Sequence, residues 1–302
     1  MPGFLLKTGD ITAINDLMNA LINLVDIVHL RVSSSGVKIM EEGCRGDLFI
    51  TIDLQAERFL EFKCDKEYLI AFKPEILHTL LNSHNKRDIL VLEYKDTKKT
   101  KYDLLVKRYM KDNDCIEECF TMLLLNSEPE VLTAPQLAVD WVLVFKTAIF
   151  NSIVTTFSSL ENDFIENWVT VTCTNKYIRF EMENGFVMNH VRHTLFTSKP
   201  DNTDEMVENS TRRSQKKRRT SDSTNLLENT EFNDNDDEQD YAVCQQYRLK
   251  YLNQILKCFS VTKGGVFIYI TKDYPIQFEV QVGTIGTLKC TLMFRDDEEE
   301  NE

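Results

Sequence analysis

The sequence predicts an α+β protein whose single domain plan is used twice. Two observations carry that reading. Each half opens on an amphipathic helix followed by a strand pair, and each then repeats a short helix and a hairpin in the same order. A Pro-bearing connector separates the two runs. The repeat lies in periodicity and element order, with little residue identity.

The elements follow in turn. In residues 10–25 the apolar positions are Ile11, Ile14, Leu17, Met18, Leu21, Ile22 and Val25, spaced i, i+3, i+4, i+7 as on one helical face. Residues 145–160 match them with Phe145, Ile149, Phe150, Ile153, Val154, Phe157 and Leu160. A hairpin follows each helix: 28–32 turns through 33–36 into 37–40, and 169–173 turns through 174–176 into 177–182. Second helices are predicted over 75–84 and 248–259, each leading into strands, 89–94 with 102–109 and 266–270 with 276–282.

Domain limits come from the two segments that break this scheme. Residues 126–138, with two prolines, form the connecting loop between a first domain, 1–125, and a second, 139–295. Residues 199–240 are polar and split into charge blocks, so they read as a disordered insertion in the second domain. An acidic tail occupies 296–302.

Composition narrows the function. The chain has 302 residues, 42% of them hydrophobic, enough for a sizeable core. Residues 1–10 lack the layout of a secretory leader, and the apolar runs fall short of a bilayer span, which predicts a soluble chain with no membrane partner. Eight scattered cysteines suit reduced, structural thiols in cytosol or nucleus. Cys115 and Cys119 are spaced as a pair, but no second pair or nearby His completes a zinc site. A net charge of −13 argues against a protein that coats DNA over its whole surface, and leaves room for a local basic one.

No enzyme is expected. The chain lacks the phosphate-binding loop, the nucleophile elbow and the zinc-protease helix. His190 and His193 stand three apart on a predicted strand and so face opposite sides, which removes the one local metal pair. Neither metal nor cofactor is implied.

Several stretches, in order, resemble the eukaryotic and viral sliding clamps of the proliferating cell nuclear antigen family. Ser34-Ser-Gly-Val37 with Met40 is similar to the family's second strand, and Phe62-Lys-Cys-Asp-Lys66 to its aromatic-basic turn. Leu132-Thr-Ala-Pro135 stands where the family's connecting loop has a Leu-to-Pro tetrapeptide. Tyr247-Arg-Leu-Lys-Tyr-Leu-Asn253, Asp273-Tyr-Pro-Ile-Gln-Phe-Glu-Val280 and Gly286-Thr-Leu-Lys289 before the acidic tail resemble the family's ending. The resemblance implies a duplicated processivity fold, with helices lining a ring and antiparallel sheets outside. Three identical subunits would encircle duplex DNA and tether a DNA polymerase and other replication and repair proteins. Partners implied are double-stranded DNA, proteins with clamp-binding peptide motifs, and a clamp loader.

Site residues are carried over by position. Met40, Leu132, Pro135, Tyr274, Pro275, Met293 and Phe294 match the pocket beneath the connecting loop, where a helical turn with two aromatics would dock. The alternative is that they fill core around the loop. At Met293-Phe294 the chain departs from the family's Ala-Pro, enlarging both side chains.

The DNA-facing set is thin: Lys250, Lys257, Arg248, Lys263, Lys86, Arg87 and Lys146. The first helix presents Thr12, Asn15, Asp16, Asn19 and Asn23, with no basic residue, and the third presents Asn151, Ser152, Thr155 and Ser159. On the second helix the family's lysines fall at Thr79 and Asn82. Such faces are either neutral and solvated or contact DNA through neutral donors.

The insertion holds the densest charge. Arg212, Arg213, Lys216, Lys217, Arg218 and Arg219 read as a nuclear-import signal, which predicts a nuclear protein, or as a mobile basic loop on DNA. The second reading resembles the herpesvirus processivity factors. A checkpoint-type clamp subunit within a heterotrimer is the other alternative.

Overall fold

The computed structural model describes residues 3–43, 46–83, 87–96, 103–110, 116–127, 132, 141–160, 167–174, 177–183, 188–194, 241–259, 262 and 264–295. The first half runs β1 (Gly3–Thr8), α1 (Ile11–Ile22), β2 (Val28–Ser33), β3 (Gly36–Gly43), β4 (Leu48–Gln55), β5 (Glu61–Cys64), β6 (Tyr68–Phe72), α2 (Pro74–Leu81), β7 (Ile89–Lys95), β8 (Asp103–Met110) and β9 (Ile116–Leu123). The second repeats it as β10 (Trp141–Lys146), α3 (Thr147–Ser158), β11 (Trp168–Thr174), β12 (Tyr177–Glu183), β13 (Met188–Thr194), β14 (Tyr241–Arg248), α4 (Leu249–Cys258), β15 (Gly265–Ile270), β16 (Ile276–Val282) and β17 (Gly286–Leu292). Apart from β5, the order matches element for element. This is the duplicated α+β fold that the sequence predicts.

Hydrogen bonding turns the repeat into a topology. Strand order is β5-β1-β7-β8-β9 in one sheet, β13-β12-β11-β14 in another, and β10-β15-β16-β17-β4-β3-β2-β6 in the third. The third sheet joins the halves. The last strand of the second half, β17, pairs antiparallel with β4 of the first, from Gly286↔Leu54 to Leu292↔Leu48. The duplicate strands β9 and β13 lie at the ends of their sheets, each with one edge unpaired among the described residues.

Alternation builds the core. In β4, Leu48, Ile50, Ile52 and Leu54 point inward, and in β16 Ile276, Phe278, Val280 and Val282 do. The apolar stripes of the helices cover these faces. Phe150 of α3 lies 5.4 Å from Phe278 and 5.5 Å from Phe259, centroid to centroid. Such ring pairs add about 0.5–1.5 kcal/mol each beyond their buried area.

Helix limits differ from expectation, with α1 ending at Ile22 and α3 at Ser158, both short of the predicted ends. Phe145 belongs to β10, paired with Val266, and α3 begins at Thr147. The second helix ends at Leu81, and Arg248 caps α4 from outside. Asn15, expected on the polar face of α1, is buried.

Candidate DNA-facing helices and partner pocket

The four described helices pack in pairs, α1 with α2 and α3 with α4, and α1 touches α4 across the halves. Their outward faces carry little charge. Lys250 and Lys257 of α4 are exposed, while α3 exposes Asn151, Ser152, Thr155 and Thr156. Thr79 of α2 is exposed, as is Asn82 just beyond it. Against the two lysines stand Asp16 of α1 and Glu75 of α2, so the helical segments are formally neutral with histidine uncharged. Lys257 Nζ donates to Asn23 Oδ1 at 3.2 Å, which holds the end of α4 beside the end of α1.

The other basic candidates scatter. Lys146 and Arg87 are exposed near helix ends, whereas Lys86 and Lys263 lie outside the described residues. Arg248 is engaged locally. Its guanidinium sits 5.1 Å from the Trp168 ring centre and its Nη1 3.6 Å from Asp47 Oδ2. Arg295 flanks the same indole at 5.2 Å, a double cation–π contact. The basic run at 212–219 lies outside the described residues.

The pocket residues are better gathered. Continuing the β16–β17 register one pair past Ile276↔Leu292 sets Pro275 opposite Met293. The Met293 N–H donates to Asp47 O at 2.9 Å, extending the β17–β4 ladder. Gln245 Nε2 donates to Tyr274 O at 3.2 Å, and the Arg295 N–H donates to Gln246 O at 2.9 Å. Tyr274–Pro275 and Met293–Phe294 are therefore tied to the same end of β14. Tyr274 and Met293 are 44% and 47% exposed, too open for core residues of this size. Met40 is half-buried on β3, on the face opposite the core, and Leu132 is half-buried. Pro135 lies outside the described residues.

Residues 4–130 match the family model described as proliferating cell nuclear antigen, N-terminal domain. A curated relative, the probable DNA polymerase sliding clamp 1 of Paramecium bursaria Chlorella virus 1, is 22% identical over 290 residues, 96% of this chain and 95% of that protein. The crystal structure of proliferating cellular nuclear antigen from Entamoeba histolytica superposes with a TM-score of 0.75 at 16% identity, covering 98% of this chain and 100% of that one. Residues 4–130 therefore carry this family's N-terminal domain, and the chain as a whole has the fold of the Entamoeba clamp. The duplicated topology extends that fold through the second half.

One apolar residue beside the candidate pocket escapes sequence reading. Phe49 of β4 is half-buried on the same outward face as Met40 and Met293. It pairs with Glu42 on one side and Thr291 on the other, so Met40 and Met293 are its diagonal neighbours. Diagonal side chains lie about 7–8 Å apart, within reach of an aromatic ring. Its signal was present: an aromatic on the face that β4 otherwise gives to Thr51 and Asp53.

Proposed function

We propose that three copies of this chain close into a ring around duplex DNA and tether a DNA polymerase, together with other replication and repair proteins, in the nucleus. One observation supports the ring above others. β17 and β4 join the halves, and among the described residues their duplicates β9 and β13 keep one edge free. An edge of unpaired N–H and C=O groups is a template for another strand. A second copy offering β13 to β9 would repeat the internal joint head to tail, and such a heterologous contact closes into a ring when the rotation allows. The viral relative described as a DNA polymerase sliding clamp supports the tethering role.

Transferring the β17–β4 register through the repeat sets Cys119 of β9 opposite position 190 of β13. A His190→Cys variant, mildly oxidised, should give a covalent trimer on a denaturing gel, and Cys119→Ser should abolish it. Light scattering of the untreated chain should give three times the subunit mass. A dimer would favour the herpesvirus-like arrangement, and a monomer needing two other proteins the checkpoint one. Ring encirclement predicts retention on circular DNA and loss when the DNA is cut.

A second reading of DNA contact is favoured by the neutral helices. With Lys250 and Lys257 offset by Asp16 and Glu75, the basic residues at 212–219 become the stronger source of phosphate contacts.

A further inference from the structure

We infer that His29, held by Glu41, is a positioning residue for peptide binding: it fixes Ser127, the last described residue before Leu132 of the partner pocket. The inference rests on the pocket reading above. Glu41 Oε1 accepts the His29 backbone N–H at 2.6 Å and lies 3.1 Å from His29 Nδ1. Two contacts to one carboxylate oxygen set both the strand and the ring orientation. The opposite ring nitrogen, Nε2, is thereby presented to Ser127 Oγ at 3.1 Å.

The anchored segment starts here. Leu125 donates its N–H to Ala71 O at 2.7 Å, and Ala71 is the register partner of His29 on the β2–β6 ladder. Ser127 follows two residues later at the same place on the sheet. The chain leaving β9 is thus held once by its backbone and once by a side chain. Met40 of the pocket precedes Glu41 on β3, and Leu132 comes five residues after Ser127. The latch and the pocket therefore share β3. The His29 and Glu41 side chains are each 11% exposed, so the contact is shielded from competing water. A carboxylate is kept in that shielded place despite its desolvation, which raises its pKa.

The test measures affinity for a short synthetic peptide carrying two aromatic residues on one helical turn. Ser127→Ala and His29→Ala should each weaken binding about five-fold, the net worth of one hydrogen bond. Ser127→Thr, which keeps the hydroxyl, should restore it. Amide exchange at Leu125 should quicken in Ser127→Ala while that of α1 stays unchanged, which separates a loosened segment from a loosened fold. A Leu132→Ala, Pro275→Ala double variant tests the pocket itself. If that variant loses the peptide and Ser127→Ala binds it as tightly as the unaltered chain, the positioning role is wrong. If the double variant keeps the peptide, the pocket reading falls, and unchanged Leu125 exchange in Ser127→Ala would remove the latch as well.

Discussion

Glu41 illustrates how a single buried carboxylate makes stability depend on pH. Burial raises its pKa from the ordinary 4.5, and the hydrogen bonds and charge of His29 pull the other way without cancelling it. A raised carboxylate pKa means that the fold prefers the protonated form. Its stabilising share is complete below the ordinary carboxylate range and is lost as pH rises through the raised value. Glu41→Gln keeps an acceptor for the His29 N–H and cannot ionise. Thermal melts should therefore show the variant gaining on the unaltered chain as pH goes from 4 to 8, by about 1.4 kcal/mol for each unit of the shift. A constant difference across that range would mean that burial of the charge is not the cause. None of this was legible in the sequence, where His29 is an ordinary strand residue and Glu41 falls just past the predicted strand 37–40. Asn15 was misjudged for a related reason: a lone polar side chain beside an apolar stripe looks solvent-facing, and only the packed structure shows it buried.

At the scale of elements, the clearest joint between the halves is the start of α1. Asp10 Oδ1 accepts the Ala13 N–H at 3.3 Å as the helix cap, while Oδ2 accepts the Thr284 N–H at 3.0 Å and the Thr284 hydroxyl at 3.3 Å. The β16–β17 turn can approach because Gly283, at φ +49°, has no side chain: a Cβ there would lie 2.2 Å from Asp10 Oδ2 and 2.6 Å from Ala13 Cβ. Asp10→Ala should cost about 1–3 kcal/mol, combining a lost cap with lost charge-assisted bonds. Gly283→Ala should cost a similar amount through the clash. Denaturant melts of the double variant should give less than the sum, because removing the carboxylate makes room for the methyl group. Full additivity would place the two residues in separate environments. The helices themselves were legible from their 3.6-residue period, because that pattern is local. Phe145 was not, because a strand ending directly at a helix start carries apolar residues that fit either period. The β17–β4 ladder was illegible for a plainer reason: it pairs opposite ends of the chain, and no local pattern encodes a partner that remote.

The whole molecule combines an acidic chain with helices that carry no net charge, and its grip on DNA should reflect that. Each neutralised phosphate contributes about −0.9 to the slope of log affinity against log salt. Lys250→Ala with Lys257→Ala should flatten an already shallow slope and lower polymerase processivity while leaving the assembly mass unchanged. Deleting residues 199–240 separates the roles left to the basic run. A deletion protein that behaves like the full chain on DNA confines the run to import, and a further drop in slope assigns it to DNA contact. If neither change alters affinity, the chain does not hold DNA through these groups. The low charge of the helices was legible because charge is counted residue by residue, whereas the gathering of Tyr274, Pro275, Met293 and Phe294 at one end of β14 depends on strand pairing. The open edges of β9 and β13 have a consequence for handling the protein. Leu123, 70% exposed at the end of β9, adds an apolar side chain to an unpaired ladder. In the ring proposed above, a neighbouring copy would cover this edge. Melting temperature should then climb with protein concentration, because assembly stabilises the folded chain by mass action.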